Sequence, residues 1–298
     1  MDRRDPERQY ARRGRERGGG AYPRRVAGTL IVCAGPIGNL SDAPPRLGEA
    51  LGSADVVFAE DTRRVQVLLG RLGVRAVTRS YFVGNEERRA GELRDRLSAG
   101  ETVALVTDAG TPGISDPGLS AVRIAVEVGA AVTGVPGPSA VTLALALSGF
   151  SADRFVFEGF LPRKAAERRD RVAVIASELR TVVFLASPNR IGTDLADLAA
   201  AGSADRACAV CREMTKIHEE IWRGSLGEAA EHWAEGARGE VTVVLDAQQA
   251  PPPDLEAAVA ETKGLIAGGT PASDAVRRVA TGRGVSRRAL YERVVRQD

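Results

Sequence analysis

The stretch Thr102–Gly118 sets the tightest limit on how this chain can fold. It opens as the apolar run Thr102-Val-Ala-Leu-Val-Thr107. It then passes without a break into Asp108, Gly110, Thr111, Pro112, Gly113, Ser115, Asp116, Pro117 and Gly118. So continuous an apolar run fits a strand buried on both faces, as in a parallel sheet. A Gly/Pro loop directly after such a strand lies at the carboxyl edge, where open α/β sheets take ligands. Glycine lets backbone approach a bound molecule closely, and proline leaves the loop little entropy to lose. Read alone, the same loop also fits a plain connector from strand to helix.

Two further strand ends repeat the pattern. Gly28–Ala34 runs into Gly35-Pro-Ile-Gly38-Asn-Leu40, and Ala131–Val135 runs into Pro136-Gly137-Pro138-Ser139-Ala140. Between them the pattern predicts a strand over Val56–Ala59, ending in Glu60-Asp61-Thr62-Arg63, and a short strand near Ala76–Ser80. Helices are expected up to Ala54, over Arg64–Leu72, Glu87–Ser98, Leu119–Val128 and Val141–Leu147, with Ser41 or Asp42 capping the first. Strands alternating with helices at this pace predict a mostly parallel α/β sheet with right-handed crossovers, over 26–150.

The texture changes after Phe150. Strands are expected at Phe155–Phe160, Thr181–Leu185, Ala207–Arg212, Glu219–Arg223 and Gly239–Asp246, some with no helix between them. That predicts a mixed sheet and a second α/β domain over 151–249. Ala250–Pro253 reads as a linker, and 250–298 as the linker with an extension of about two helices. These form a helix–turn–helix pattern carrying Arg277, Arg278, Arg283, Arg287, Arg288 and Arg293. It fits either nucleic-acid contact or a solvated helical cap.

Composition matters chiefly through its asymmetry. The net charge is +2 over 298 residues, yet residues 1–25 hold nine Arg against four acidic residues. The remainder carries 32 basic and 35 acidic residues. An Arg/Gly-rich tail on a nearly neutral body fits contact with a polyanion such as RNA, or a disordered extension. No apolar run has membrane-spanning length and no secretory signal is visible, so a soluble, cytoplasmic protein is expected. Three cysteines, an odd count, agree with a reducing setting. Cys208-Ala-Val-Cys211 has no second pair and reads as strand positions rather than a zinc or redox site.

Several chemistries are excluded by what the loops lack. Gly35-Pro-Ile-Gly38 is not G-x-G-x-x-G, and no G-x-x-x-x-G-K-[ST] occurs, which argues against a nucleoside triphosphate or nicotinamide cofactor. Two histidines, His218 and His232, do not assemble a Ser–His–Asp set, and no metal-ligand cluster appears at the required spacing.

Motifs in order along the chain carry a family resemblance. They are A-G-P-I-G-N-L (34–40), E-D-T-R (60–63), D-A-G-T-P-G-I-S-D-P-G (108–118), P-G-P-S-A (136–140), F-E-G-F-L-P-R-K (157–164), R-E-M-T-K (212–216) and G-E-V-T-V-V-L (239–245). The set resembles the tetrapyrrole methylase superfamily. Within it the set is similar to the group that 2′-O-methylates a cytidine of 16S rRNA in the small ribosomal subunit. The resemblance covers about residues 28–298. It implies two α/β domains with S-adenosylmethionine in the cleft between them, a C-terminal helical extension, no metal, and a homodimer. A tetrapyrrole C-methyltransferase, and a non-catalytic rRNA-binding or assembly protein on the same fold, are the competing readings.

Roles for individual residues follow from that resemblance. Pro36, Gly38, Asp108, Ala109, Gly110, Thr111, Pro112, Ser115, Pro136, Gly137, Ser139 and Ala140 are implied cofactor contacts, made largely through backbone. A ribose 2′-hydroxyl is a weak nucleophile that benefits from a base or a nearby cation. Glu60, Asp61 and Lys216 are the expected catalytic groups, with Glu86, Asp108 and Glu213 as further candidates for the base. Arg63, Asn85, Glu86, Asp116, Arg163, Lys164 and Arg190 are expected on the RNA side. Gly84 and Asn189 stand where the family pattern has histidine, which argues against an obligatory histidine base.

Overall fold

The computed structural model describes residues 27–249 and 254–295. The Arg-rich tail and the Ala250–Pro253 linker lie outside the described residues. The chain separates into two compact units. The first runs to Leu143 and includes Glu213–Glu219; the second comprises Ala144–Arg212 and the chain from Glu220 onward.

The first unit holds β1 (Thr29–Cys33), α1 (Pro45–Ser53), β2 (Val56–Ala59), α2 (Thr62–Leu72), β3 (Thr78–Ser80), α3 (Glu86–Ser98), β4 (Thr102–Val106), α4 (Leu119–Glu127), β5 (Ala131–Val135) and the start of α5 (Ala140–Ser148). All of its strand pairs are parallel, in the order β3-β2-β4-β1-β5. The expected parallel sheet is therefore present, and β4 lies between β2 and β1. Its apolar run is continuous because both faces are covered. Ala104 and Val106 pack with α1 and α2 through Leu47, Leu51, Val65 and Leu68. Val103 and Leu105 pack with α3 and α4 through Leu93, Leu97, Ala121 and Ile124. Burying a side chain of this size contributes about 1.5–3 kcal/mol, so β4 fixes the sheet from its middle.

Helix ends are set locally. Asp61 caps α2, accepting from the Arg63 amide at 2.8 Å, and Gly73 closes it in the left-handed region at φ 68°. One expected cap is corrected. Ser41 and Asp42 lie in the short turn Leu40–Asp42, which Asn39 caps, and α1 starts behind Pro44 with no side-chain cap. Pro44 and Pro45 have no amide hydrogen, so this end has fewer donors to satisfy.

The second unit is mixed, as expected. It contains β6 (Phe155–Phe160), α6 (Ala165–Ser177), β7 (Thr181–Ala186), α7 (Ile191–Leu198), β8 (Ala207–Arg212), β9 (Glu220–Ser225), α8 (Leu226–His232) and β10 (Val241–Leu245). The order is β6-β7-β10-β8-β9; β6 and β7 are parallel and the other pairs antiparallel. Phe184, Cys208, Val210 and Val243 pack against Ile175, Leu195 and Leu226. The buried Arg206 guanidinium donates to the carbonyls of Asp246 (2.7 Å), Ile175 (3.1 Å) and Arg180 (2.8 Å). It thereby ties three chain segments together and offsets the cost of burying its charge.

The extension has three described helices, where two were expected: α9 (Leu255–Ala267), α10 (Ala272–Arg283) and α11 (Arg287–Val295). The first begins directly behind the prolines, because Asp254 accepts from the Ala257 amide at 2.9 Å and caps it. Ala258, Val276, Val279, Leu290 and Val294 give these helices a core of their own.

The loop after β4 depends on one glycine. Gly118 has φ 144°, and a Cβ there would stand 2.9 Å from the Gly113 nitrogen and 3.2 Å from Leu105 Cδ2. Gly118→Ala is expected to cost about 1–3 kcal/mol, read as a lowered midpoint of urea unfolding with an unchanged slope.

Candidate functional site at the carboxyl edge of the parallel sheet

The chain leaves two neighbouring strands toward opposite faces. After β1 it enters α1 on one face of the sheet, and after β4 it enters α4 on the other. Loops that diverge from adjacent parallel strands open a crevice between them, which is where such sheets bind ligands. Here the two loops are stapled to each other. The Gly35 amide donates to the Gly110 carbonyl at 2.8 Å, and the Gly110 amide donates to the Pro36 carbonyl at 3.3 Å. The third Gly/Pro loop follows β5, the other neighbour of β1. A Cβ on Gly137 would sit 3.0 Å from Ala34 Cβ and from Pro44 Cγ, so this loop also lies against the first.

The end of β2 brings carboxylates to the same edge. The Asp108 amide donates to Glu60 at 3.2 Å, and the Asp61 amide donates to Asp108 at 3.1 Å. Asp108 also pairs with Arg64 at 3.2 Å. Each acid thus holds the backbone of the neighbouring strand end. A pocket of about 240 Å³ is lined here by Pro36, Gly38, Glu60, Asp61, Arg64 and Asp108, among others. Residues 109–115 and 136–140 are not among its lining residues.

Asp61 is committed to Arg63. The guanidinium bonds to both carboxylate oxygens, at 3.3 and 3.0 Å, and these bonds hold the carboxyl down at about 2. The acid therefore stays ionised well below neutral pH, and its pairing with Arg63 would be lost only as pH falls toward 2. Such a depressed carboxylate is a poor proton acceptor near neutrality.

Lys216 reaches the edge from far along the chain. Residues 213–219 belong to the first unit, although β8 and β9, which flank them in sequence, belong to the second. Two residues of this loop have left-handed backbone without being glycine, Glu213 at φ 51° and Thr215 at φ 67°. Such conformations cost about 1–3 kcal/mol each and persist only where the surroundings enforce them. The enforcing contacts are visible. The Asn39 amide donates to Thr215 Oγ1 at 3.3 Å, and the Thr215 amide donates to Glu219 at 2.7 Å. Lys216 Nζ bonds Glu213 at 2.8 Å, and its stem lies over Gly38, where a Cβ would come within 2.4 Å of Lys216 Cε. Glycine at 38 is thus what makes room for the lysine.

Some expected site residues turn out to brace the loops. Asn85 is 3% exposed. Its carboxamide accepts from the Phe82 amide at 2.9 Å and donates to Ser80, leaving nothing to reach RNA. Glu86 accepts from the Gly118 amide at 3.1 Å and so anchors the far end of the β4 loop. Ser115 sits in that loop at φ 59°. Arg163 is exposed, and Lys164 is exposed and paired with Glu167. Arg190 is partly buried, 3.8 Å from Asp194. Cys208 and Cys211 are buried strand residues, and burial pushes the Cys208 thiol up to about 12, consistent with their reading as strand positions. Among the described residues no group of His, Cys, Asp and Glu could hold a metal.

Sequence reasoning missed Arg64, Asn39 and Thr215. Arg64 is separated from its neighbour Arg63 only by helix phase, which turns it toward Asp108. Nothing in the sequence pairs Asn39 with a residue 176 positions away.

Comparison with known proteins assigns the chain to a family. The family model for Tetrapyrrole (Corrin/Porphyrin) Methylases matches residues 29–230. The ribosomal RNA small subunit methyltransferase I of Mycobacterium bovis is 47% identical over 272 residues, 90% of this chain and 95% of that protein. The protein of the same name from Thermotoga maritima is 42% identical over 223 residues, 74% of this chain and 100% of that protein. A uroporphyrin-III C-methyltransferase from Thermus thermophilus, solved with S-adenosylhomocysteine, superposes with a TM-score of 0.53 at 20% identity, covering 73% of this chain and 96% of that one. With a family model spanning most of its length and relatives this similar along nearly all of it, the chain belongs to the tetrapyrrole methylase family.

Proposed function

We propose that this chain transfers the methyl group of S-adenosylmethionine to the 2′-hydroxyl of a cytidine ribose in the 16S rRNA of the small ribosomal subunit. The observation that carries the reading is identity of 47% across 90% of the chain with a small-subunit rRNA methyltransferase. The edge of the parallel sheet supports it by its chemistry.

S-adenosylmethionine offers both kinds of partner. Its ammonium and ribose hydroxyls are donors, its adenine and carboxylate are acceptors, and its sulfonium supplies an activated methyl. Among the described residues the amides of Ala109, Thr111, Gly137 and Ser139 find no protein acceptor. Glu60 and Asp108 line the pocket. Free amides on two loops and carboxylates on the same sheet edge are the donor and acceptor types that such a ligand needs, with no phosphate-binding charge required. Pro36, Gly38, 108–112, Ser115 and 136–140 form the cofactor site in this reading.

The remaining task is to position the ribose and stabilise its oxygen as it loses a proton. Asp61 is disfavoured as the base by its pairing with Arg63, which leaves Glu60 as the better-placed carboxylate. Lys216, fixed over Gly38 by Glu213, supplies positive charge to the developing alkoxide. Arg163, Lys164 and Arg190 contribute phosphate contacts, and Asp116 faces the RNA side.

The protein acts in the cytoplasm as a homodimer; no helix among the described residues is long and apolar enough to cross a membrane. The dimer reading is supported by exposed apolar side chains on the segments that lead into α3 and α4 of the first unit. Val83, Ile114 and Leu119 are each more than half exposed and Phe82 is 41% exposed. The Glu86 bond to Gly118 and the 2.6 Å bond between Tyr81 and Ser120 clamp these loops together. Apolar patches of this kind mark association surfaces.

The direct test is transfer of labelled methyl to small subunits that lack the modification. Label is expected at a cytidine 2′-oxygen of 16S rRNA; label on a tetrapyrrole and none on RNA would reject the assignment. Asp108→Ala is expected to weaken S-adenosylhomocysteine binding about tenfold or more by calorimetry, because it removes an acceptor and releases the Asp61 backbone. Lys216→Met keeps the stem over Gly38 and removes the charge. A fall in kcat of about a hundredfold, with cofactor affinity unchanged, is expected in single-turnover assays.

A further inference from the structure

The site described above leaves the three C-terminal helices without a task. A relative of the same name is complete at 223 residues, a length that residues 27–249 of this chain fill by themselves. About a quarter of this chain therefore has no counterpart in that relative, and the surface of the three helices calls for its own account.

That surface is polarised. Helices α10 and α11 carry six arginines against two acidic residues. The acids of α9 neutralise one side: Glu261 pairs with Arg283, and Glu256 with Arg293. Arg277 is paired with Asp274 on its own helix. Leu290 and Val294 turn inward to the small core. Positions 287, 288 and 291 fall on another side of α11, by three- and four-residue spacing. Arg287 and Arg288 are exposed there, and Tyr291 is 45% exposed. Arg288 shares its charge with Glu292 at 3.2 Å, whereas Arg287 has no acidic partner among the described residues. The turn before α11 is fixed by the left-handed Gly284 at φ 64°, the buried Val285, and Ser286, which accepts from the Ala289 amide at 3.3 Å.

We infer that the Arg287, Arg288 and Tyr291 face of α11 is an RNA-docking surface, which binds the substrate rRNA. Two guanidinium groups at the first turn of a helix, next to an exposed aromatic ring, offer phosphate pairing and a stacking plane together. Buried apolar residues hold the helix, so these side chains meet the RNA on a rigid support. The inference rests on the rRNA reading of the function, but the contact is read by binding as well as by turnover.

The test compares the full-length protein with Arg287→Glu/Arg288→Glu, and with Tyr291→Ala as a variant that leaves the charge alone. Binding to 16S rRNA transcript and to assembled small subunits is measured over a salt series, alongside methyl transfer. For the double variant the expected result is about tenfold or more weaker rRNA binding and a shallower salt slope, by roughly one to two phosphate contacts. The KM for subunits rises to match, and kcat at saturation stays at the wild-type value. Tyr291→Ala should weaken rRNA binding with the salt slope preserved. Wild-type affinity and slope in both variants would overturn the inference. So would a raised KM for subunits with unchanged affinity for rRNA, because the face would then contact a subunit protein. Failure of the wild-type protein to transfer methyl to RNA would count against the function instead, and the binding series would still decide the role of α11.

Discussion

The site depends on the reciprocal backbone bonds between the loops after β1 and β4. Gly35 donates to Gly110 and Gly110 donates to Pro36, across the point where the chain departs toward opposite faces of the sheet. Divergent loops would otherwise be independent connectors with their own fluctuations. Tied together, they become one surface whose remaining amides keep fixed directions. Such preorganisation suits methyl transfer, in which the protein mostly arranges reactants that are already activated.

The acidic residues act first as scaffolding. Glu60 and Asp108 each accept from the other strand's backbone, and Arg64 balances part of their charge. Glu86 does the same at the end of the β4 loop. Carboxylates in these positions tie the ends of β2 and β4 and the start of α4, and Glu60 and Asp108 also line the pocket. Removing one would therefore alter shape as well as charge. Asp61 shows the converse case, in which a carboxylate at the edge is spent on its neighbour Arg63 and loses basicity.

Much of the fold was legible because its signals are local. Apolar runs flanked by glycine and proline marked β1, β4 and β5, and Gly73 and Gly100 marked the ends of α2 and α3. The motifs at 34–40, 60–63, 108–118 and 136–140 all follow strands of the parallel sheet, so they meet along its carboxyl edge. Errors arose where the outcome hung on short-range competition. Asn39, rather than Ser41 or Asp42, won the cap, and the alanine-rich segment behind the prolines formed a third helix in the extension. Asn85 looked polar and available; in the folded chain its amide closes a turn and is buried.

The sequence by itself determined the alternation of strands and helices, the loops at the strand ends and the family, since each is written in neighbouring residues. Tertiary structure alone decided which loops meet. It joined residues 213–219 to the β1 loop, forced Glu213 and Thr215 into left-handed backbone, and laid Lys216 across Gly38. The physical reason is that contacts between residues some 176 positions apart arise from packing and chain closure, which leave no periodic mark on the sequence. The stretch Asp108–Gly118 shows both sides. Its glycines and prolines announced a loop at a strand end, and its partners across the sheet edge gave that loop its shape.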